Sequence, residues 1–136
     1  MAKKLVDIEG VGSAYAKKLE EAGVKSQEDL LQAGSTPKGR KDLGAKTGIS
    51  GKLILGWINR ADLARVKGIG EEYADLLELA GVDTVPELAQ RSPTNLHKKI
   101  REVAAQNKNV VRRVPSESEV TKWVAQAKEL PRAITY

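Results

Sequence analysis

The chain has no cysteine, no phenylalanine and a single histidine, and aromatic residues make up only 4% of it. Without cysteine there is no disulfide, no thiolate nucleophile and no thiolate-ligated zinc or iron–sulfur centre. One histidine, His97, excludes a His-based metal cluster. No stretch approaches the roughly eighteen apolar residues of a membrane-spanning helix. The opening Met-Ala-Lys-Lys-Leu-Val-Asp lacks the apolar run of a signal peptide, so the expected location is cytoplasmic, with no membrane partner. With so few aromatics, the 40% of hydrophobic residues must build a core from Leu, Val, Ile and Ala, which suits short helices packed closely and speaks against an all-β fold.

The chain is rich in charge, at 30% of its 136 residues, for a net +5. That charge is uneven: +4 over residues 1–61, −4 over 62–92 and +5 over 93–136. Basic segments attract phosphate backbones, and they also serve as solvated surface with no partner.

Residues 5–31 set over 63–89, an offset of 58 without gaps, share 11 identities in 27 positions: Leu5, Gly10, Gly12, Tyr15, Ala16, Leu19, Glu20, Ala22, Gly23, Val24 and Leu30. Such an internal repeat marks a supersecondary unit present twice. Tyr15, Ala16, Leu19 and Ala22, like Tyr73, Ala74, Leu77 and Ala80, form the apolar stripe of an amphipathic helix. Gly23 and Gly81 follow each stripe where a left-handed residue closes a helix, with Val24 or Val82 folding back on Leu19 or Leu77. Ser26 and Thr84, each three residues before an acid, start a second helix. Thr36-Pro37 and Ser92-Pro93 start a third, carrying KGRKDLGAKTG or TNLHKKIREVAAQ, both basic. Ser50 and Ser116 cap a last helix with a core of Leu53, Ile54, Trp57 and Ile58, or of Val120, Trp123, Val124 and Ala127. The expectation is an all-α fold of two similar units, 1–61 and 62–136, each of about four short helices, sharing a bridging helix from about Lys52 to Val66. Residues 107–115, NKNVVRRVP, read as a short extended segment or an ordered loop.

The repeat opens on Gly10-Val11-Gly12 and Gly68-Ile69-Gly70. A dinucleotide-binding fingerprint would need a preceding strand and a third glycine where Tyr15 and Tyr73 stand, and the sequence before the second triplet, ILGWINRADLARV, has a helical pattern. Ile8, Gly10, Val11, Gly12, Ala16 and Leu19, and Val66, Gly68, Ile69, Gly70, Ala74 and Leu77, resemble helix-hairpin-helix motifs. With its NLHKKI, VRRVPS and C-terminal Trp helix, the whole chain also resembles an uncharacterised bacterial domain family containing such motifs, which brings no established activity. What the motif resemblance implies is sequence-independent contact with a DNA backbone, in some families with a monovalent cation on hairpin carbonyls; other copies only pack helices or dock proteins.

The physical basis is that glycines let a phosphate oxygen come close, while the first N–H groups of the next helix supply donors at the positive end of its dipole. The first hairpin, Gly10, Val11, Gly12 and Ser13, is followed by Lys17 and Lys18 and preceded by Lys3 and Lys4, with Glu9 the one opposing charge. In the second, Lys67, Gly68, Ile69 and Gly70 run into Glu71 and Glu72, which satisfy the dipole themselves and repel an anion. Asp75 and Glu78 add to that. An asymmetric pair is expected: a first hairpin suited to DNA, and a second that is structural or protein-facing.

Trp57, Trp123, Tyr15 and Tyr73 lie on apolar stripes and read as packing residues. His97, beside Lys98 and Lys99, reads as a surface or cap residue rather than a catalyst. Arg112 and Arg113 suit either a phosphate grip or a solvated rim. The pairs Glu20-Glu21 and Glu71-Glu72 do not converge on one ion, because adjacent helical residues point roughly 100° apart. The sequence therefore leads to a non-enzymatic DNA-binding module without cofactor or metal, with a protein-docking or assembly module as the alternative.

Overall fold

The computed structural model describes residues 3–8, 10–107 and 112–136. The fold is all-α: a 3-10 turn, Leu5–Asp7, then α1 (Ser13–Glu21), α2 (Gln27–Ala33), α3 (Pro37–Thr47), α4 (Gly51–Leu63), α5 (Glu71–Leu79), α6 (Val85–Ala89), α7 (Pro93–Gln106) and α8 (Glu117–Glu129). Among the described residues there is no strand. No helix among them is long and apolar enough to cross a membrane.

Hydroxyl side chains start six of these helices. Ser26 accepts from the Asp29 N–H, Thr36 from Gly39, Ser50 from Leu53, Thr84 from Glu87, Ser92 from Asn95 and Ser116 from Glu119. Each cap fills a donor that the helix cannot fill internally. At α8 the cap is reciprocal, since Glu119 accepts from the Ser116 N–H at 3.1 Å.

Helices α1 and α5 end as their glycines require. Gly23, at φ 89°, donates to Glu20 O, and Val24 donates to Leu19 O at 2.9 Å. Gly81, at φ 91°, and Val82 repeat the arrangement on Glu78 and Leu77. These paired bonds form a Schellman cap, and all four apolar partners are buried.

The chain divides into two compact units, Met1–Asp62 with Arg132–Tyr136, and Leu63–Pro131. Leu19, Leu30, Leu43, Ile54, Trp57 and Ile58 centre the first core. In the second unit α8 packs on α6 and α7, and α5 on α7. Leu77, Leu88, Ile100, Val120 and Trp123 are buried among them.

Three details depart from the sequence reading. Leu53 is 41% exposed rather than part of the core, because α4 turns Ile54, Trp57, Ile58 and Ala61 inward and leaves Leu53 at the edge of that stripe. Helix α4 stops at Leu63 and does not reach Val66, whose N–H instead closes a turn on Leu63 O at 3.1 Å. The segment 132–136 belongs with the first unit: Ile134 is buried in that core, Thr135 donates its N–H to Ser35 O at 2.7 Å, and Arg40 donates to Thr135 O at 2.8 Å. The Tyr136 hydroxyl reaches Asn59 Oδ1 at 2.9 Å.

Candidate nucleic-acid interface

Each glycine triplet begins with a tight turn. Val11 donates its N–H to Ile8 O at 3.0 Å, with Gly10 as third residue at φ 90°; Ile69 donates to Val66 O at 3.2 Å, with Gly68 at φ 96°. A positive φ at the third residue of such a four-residue turn is a conformation that glycine adopts without strain. Ile8, Val11, Val66 and Ile69 are all buried, so the turn is pinned to the core by apolar residues at both ends. Val11 and Ile69 therefore offer a ligand backbone atoms and no side chain.

An aromatic pair lies under each turn. The Tyr15 and Trp57 rings are 5.1 Å apart and tilted by 59°, and Tyr73 and Trp123 are 5.2 Å apart at 51°. Such tilted contacts contribute beyond simple burial. The indole edges also approach the glycines. A Cβ on Gly10 would stand 3.5 Å from Trp57 Nε1, and one on Gly68 would stand 2.9 Å from Trp123 Nε1. The tryptophans thus support the turns from the core side, and neither is a platform for bases.

The mouths differ. Helix α1 starts from Gly12, in extended conformation at φ −81° and ψ 178°, without a side-chain cap. Nothing stands within 4 Å of the place a Gly12 Cβ would take. Gly12, Ser13 and Ala14 are exposed, and among the described residues their N–H groups meet no hydrogen-bond acceptor. Lys17 and Lys18 are exposed one turn on, and Lys18 Nζ lies 5.9 Å from the Tyr15 ring centroid. The structure thus brings Gly10 to Ser13, Lys17 and Lys18 together on one turn and one helix. Glu9, the opposing charge, lies outside the described residues.

Helix α5 starts from Gly70, also without a side-chain cap, but Glu71 and Glu72 occupy its first turn. Lys67 is exposed, and its backbone is held on both sides by one side chain: Gln126 Oε1 accepts its N–H at 3.0 Å, and Gln126 Nε2 donates to its carbonyl at 3.2 Å. That carbonyl is therefore already engaged. Arg112 stands 3.7 Å from Glu72, both well exposed.

Arg113 makes a two-pronged bond with Glu119, at 2.7 and 3.0 Å. Arg113, with the Ser116 N–H, holds the Glu119 carboxyl down to about 2, while Glu119 raises the Arg113 guanidinium above its ordinary value. Arg113 is thus committed to the start of α8. His97 is half-buried with Nε2 3.0 Å from Pro115 O, a structural tie for the end of the preceding loop. In the segment 107–115, residues 108–111 lie outside the described residues; Arg112 and Arg113 form a bend. Among the described residues no cluster of His, Cys, Asp or Glu is arranged to hold a metal ion.

Two contributors were not legible in sequence. Gln27 accounts for one: its side chain donates to Lys4 O at 2.8 Å and its N–H to Lys3 O at 2.9 Å, tying the segment before the first hairpin to α2. Gln126 is the other, 59 residues from the turn it grips. Neither spacing carries a local signal. A family model described as a domain of unknown function, DUF4332, matches residues 9–130. No curated protein and no solved structure matches the chain.

Proposed function

We infer that this chain, which belongs to the DUF4332 family, is a small non-enzymatic module that contacts the DNA phosphate backbone without regard to sequence, mainly through its first hairpin. Family membership brings no activity with it, so the reading rests on chemistry. One observation carries it: α1 begins on a bare glycine with exposed amides that meet no acceptor among the described residues, beside Lys17 and Lys18, whereas six other helices cap themselves with a hydroxyl. An uncapped, cation-flanked helix start suits an oxyanion. The resemblance of both glycine triplets to helix-hairpin-helix motifs supports the same reading.

Phosphate contacts carry no sequence information, so recognition through this mouth is of shape and charge. Binding through a few phosphates is weak and falls with salt at a slope of about −0.9 per phosphate. The second hairpin, with Glu71 and Glu72 at its mouth and Gln126 across Lys67, favours a structural or protein-docking role for that unit.

Fluorescence anisotropy with a duplex of arbitrary sequence tests the proposal. Affinity should drop between low and moderate salt, and Lys17→Glu with Lys18→Glu should reduce it further. No binding tighter than roughly millimolar, weaker than ordinary non-specific association, would favour the docking role instead.

A further inference from the structure

We propose that the groove between α1 and α3 is a second phosphate seat for the strand held at the first hairpin, an inference that rests on the nucleic-acid reading above. The groove has a volume of about 550 Å³ and is lined by Lys18, Glu21, Ala22, Lys46 and Thr47. Lys18 and Lys46 each stand in the last turn of their helix. The negative end of a helix dipole repels an anion, and an ammonium placed there reverses the local field. Among the described residues, neither lysine is ion-paired with a carboxylate.

Lys18 connects the groove with the hairpin. Its ammonium lies over Tyr15, in the first turn of α1, while its side chain also forms one wall of the groove. From Ser13 to Lys18 the helix rises about 7.5 Å at 1.5 Å per residue. That separation is short enough for one strand to reach both seats.

The charge of the groove also selects among anions. Two lysines against Glu21 leave a single net positive charge, which matches a phosphodiester better than a doubly charged terminal phosphate. Lysines act as point charges without the fork of an arginine, so this seat holds backbone and reads no base. The Thr47 hydroxyl donates to Leu43 O at 2.8 Å, so its proton is committed within α3.

The test follows the backbone amides of the full chain by NMR during titration with a short DNA duplex, and compares salt dependence with Lys46→Gln. The expected result is movement of Gly12 to Ala14 together with Lys46 and Thr47, and a salt slope smaller by about 0.9 in the variant, or about threefold less affinity change for a fourfold change in salt. Movement at the hairpin alone, with the slope unchanged, would overturn the second seat and leave the hairpin reading standing. Movement at Lys46 and Thr47 alone would overturn the hairpin reading and, with it, a seat shared with the hairpin's strand. Movement at neither would overturn both. An unchanged circular-dichroism melt of Lys46→Gln separates lost contact from lost fold.

Discussion

Gly68 and Trp123 meet with no room to spare: a Cβ on Gly68 would stand 2.9 Å from the indole Nε1, closer than real Cβ contacts allow. Gly10 and Trp57 have the same arrangement with more slack, 3.5 Å. Both glycines have positive φ, so alanine at either position costs roughly 1–2 kcal/mol in backbone strain. At Gly68 the indole must also shift, adding about 1–3 kcal/mol of overpacking. Gly68→Ala should therefore destabilise its unit more than Gly10→Ala does. Urea unfolding followed by tryptophan emission, with Trp57→Phe or Trp123→Phe isolating one unit, measures both; equal losses would contradict the packing account.

Gly12 offers a sharper probe of the proposed interface. Its extended backbone and open surroundings accept a side chain, so Gly12→Asp should cap α1 as Ser26 caps α2. The exchange of Gly for Asp at this position changes stability by only a few tenths of a kcal/mol, in the favourable direction. It also fills the donors and places a negative charge at the mouth. The expected outcome is a chain at least as stable as before with DNA affinity lost, and retained affinity would remove the α1 amides from the interface.

The second hairpin should respond in the opposite sense. Replacing Glu71 and Glu72 by lysine removes two carboxylates from the start of α5 and adds two cations. DNA affinity should rise and its salt dependence steepen. An unchanged affinity would mean that repulsion there is not what distinguishes the two mouths.

Acid should weaken the second unit through Glu119. Its carboxyl is held down from 4.5 to about 2, chiefly by Arg113 and then by the Ser116 N–H. Because the folded value lies below the unfolded one, the ionised form contributes stability that is full above about pH 4.5 and lost as pH falls toward 2. Glu119→Gln keeps a side chain able to accept from the Ser116 N–H but loses the charge that Arg113 grips. Stability read at Trp123 should then vary less over that pH range, and identical acid profiles would show that the ion pair contributes nothing measurable.

The segment 132–136 makes its contribution to the first unit. Ile134 is buried there, and truncating a buried Ile to Ala costs about 2–5 kcal/mol, with a chain end expected at the lower limit. Ile134→Ala should lower the unfolding midpoint reported by Trp57 and leave that reported by Trp123 little changed. The reverse pattern would assign the segment to the other unit.

Local chemistry was legible and long-range chemistry was not. Ser26, Thr36, Ser50, Thr84, Ser92 and Ser116 declare helix starts within three residues, and Gly23 and Gly81 declare their ends, because caps are satisfied by near neighbours. The burial of Trp57 and Trp123 followed from helical periodicity. Their approach to Gly10 and Gly68 did not, since it spans more than forty residues and depends on how the helices pack. Gln126 across Lys67 and Thr135 on Ser35 are contacts of the same kind. The exposure of Leu53 shows the limit of a pattern read by residue type: a leucine one position off the stripe looks like core until the helix is placed. At the candidate site the glycines and lysines were visible in sequence, whereas the openness around Gly12 emerged only with the fold.

The path of the chain also gives the two units different histories. The first unit is begun first and left incomplete, because Ile134, Thr135 and Tyr136 must emerge before its core and the grip of Arg40 are finished. During synthesis, then, the second unit has all its parts before the first does, and the amino-terminal half waits on residues translated about seventy codons later.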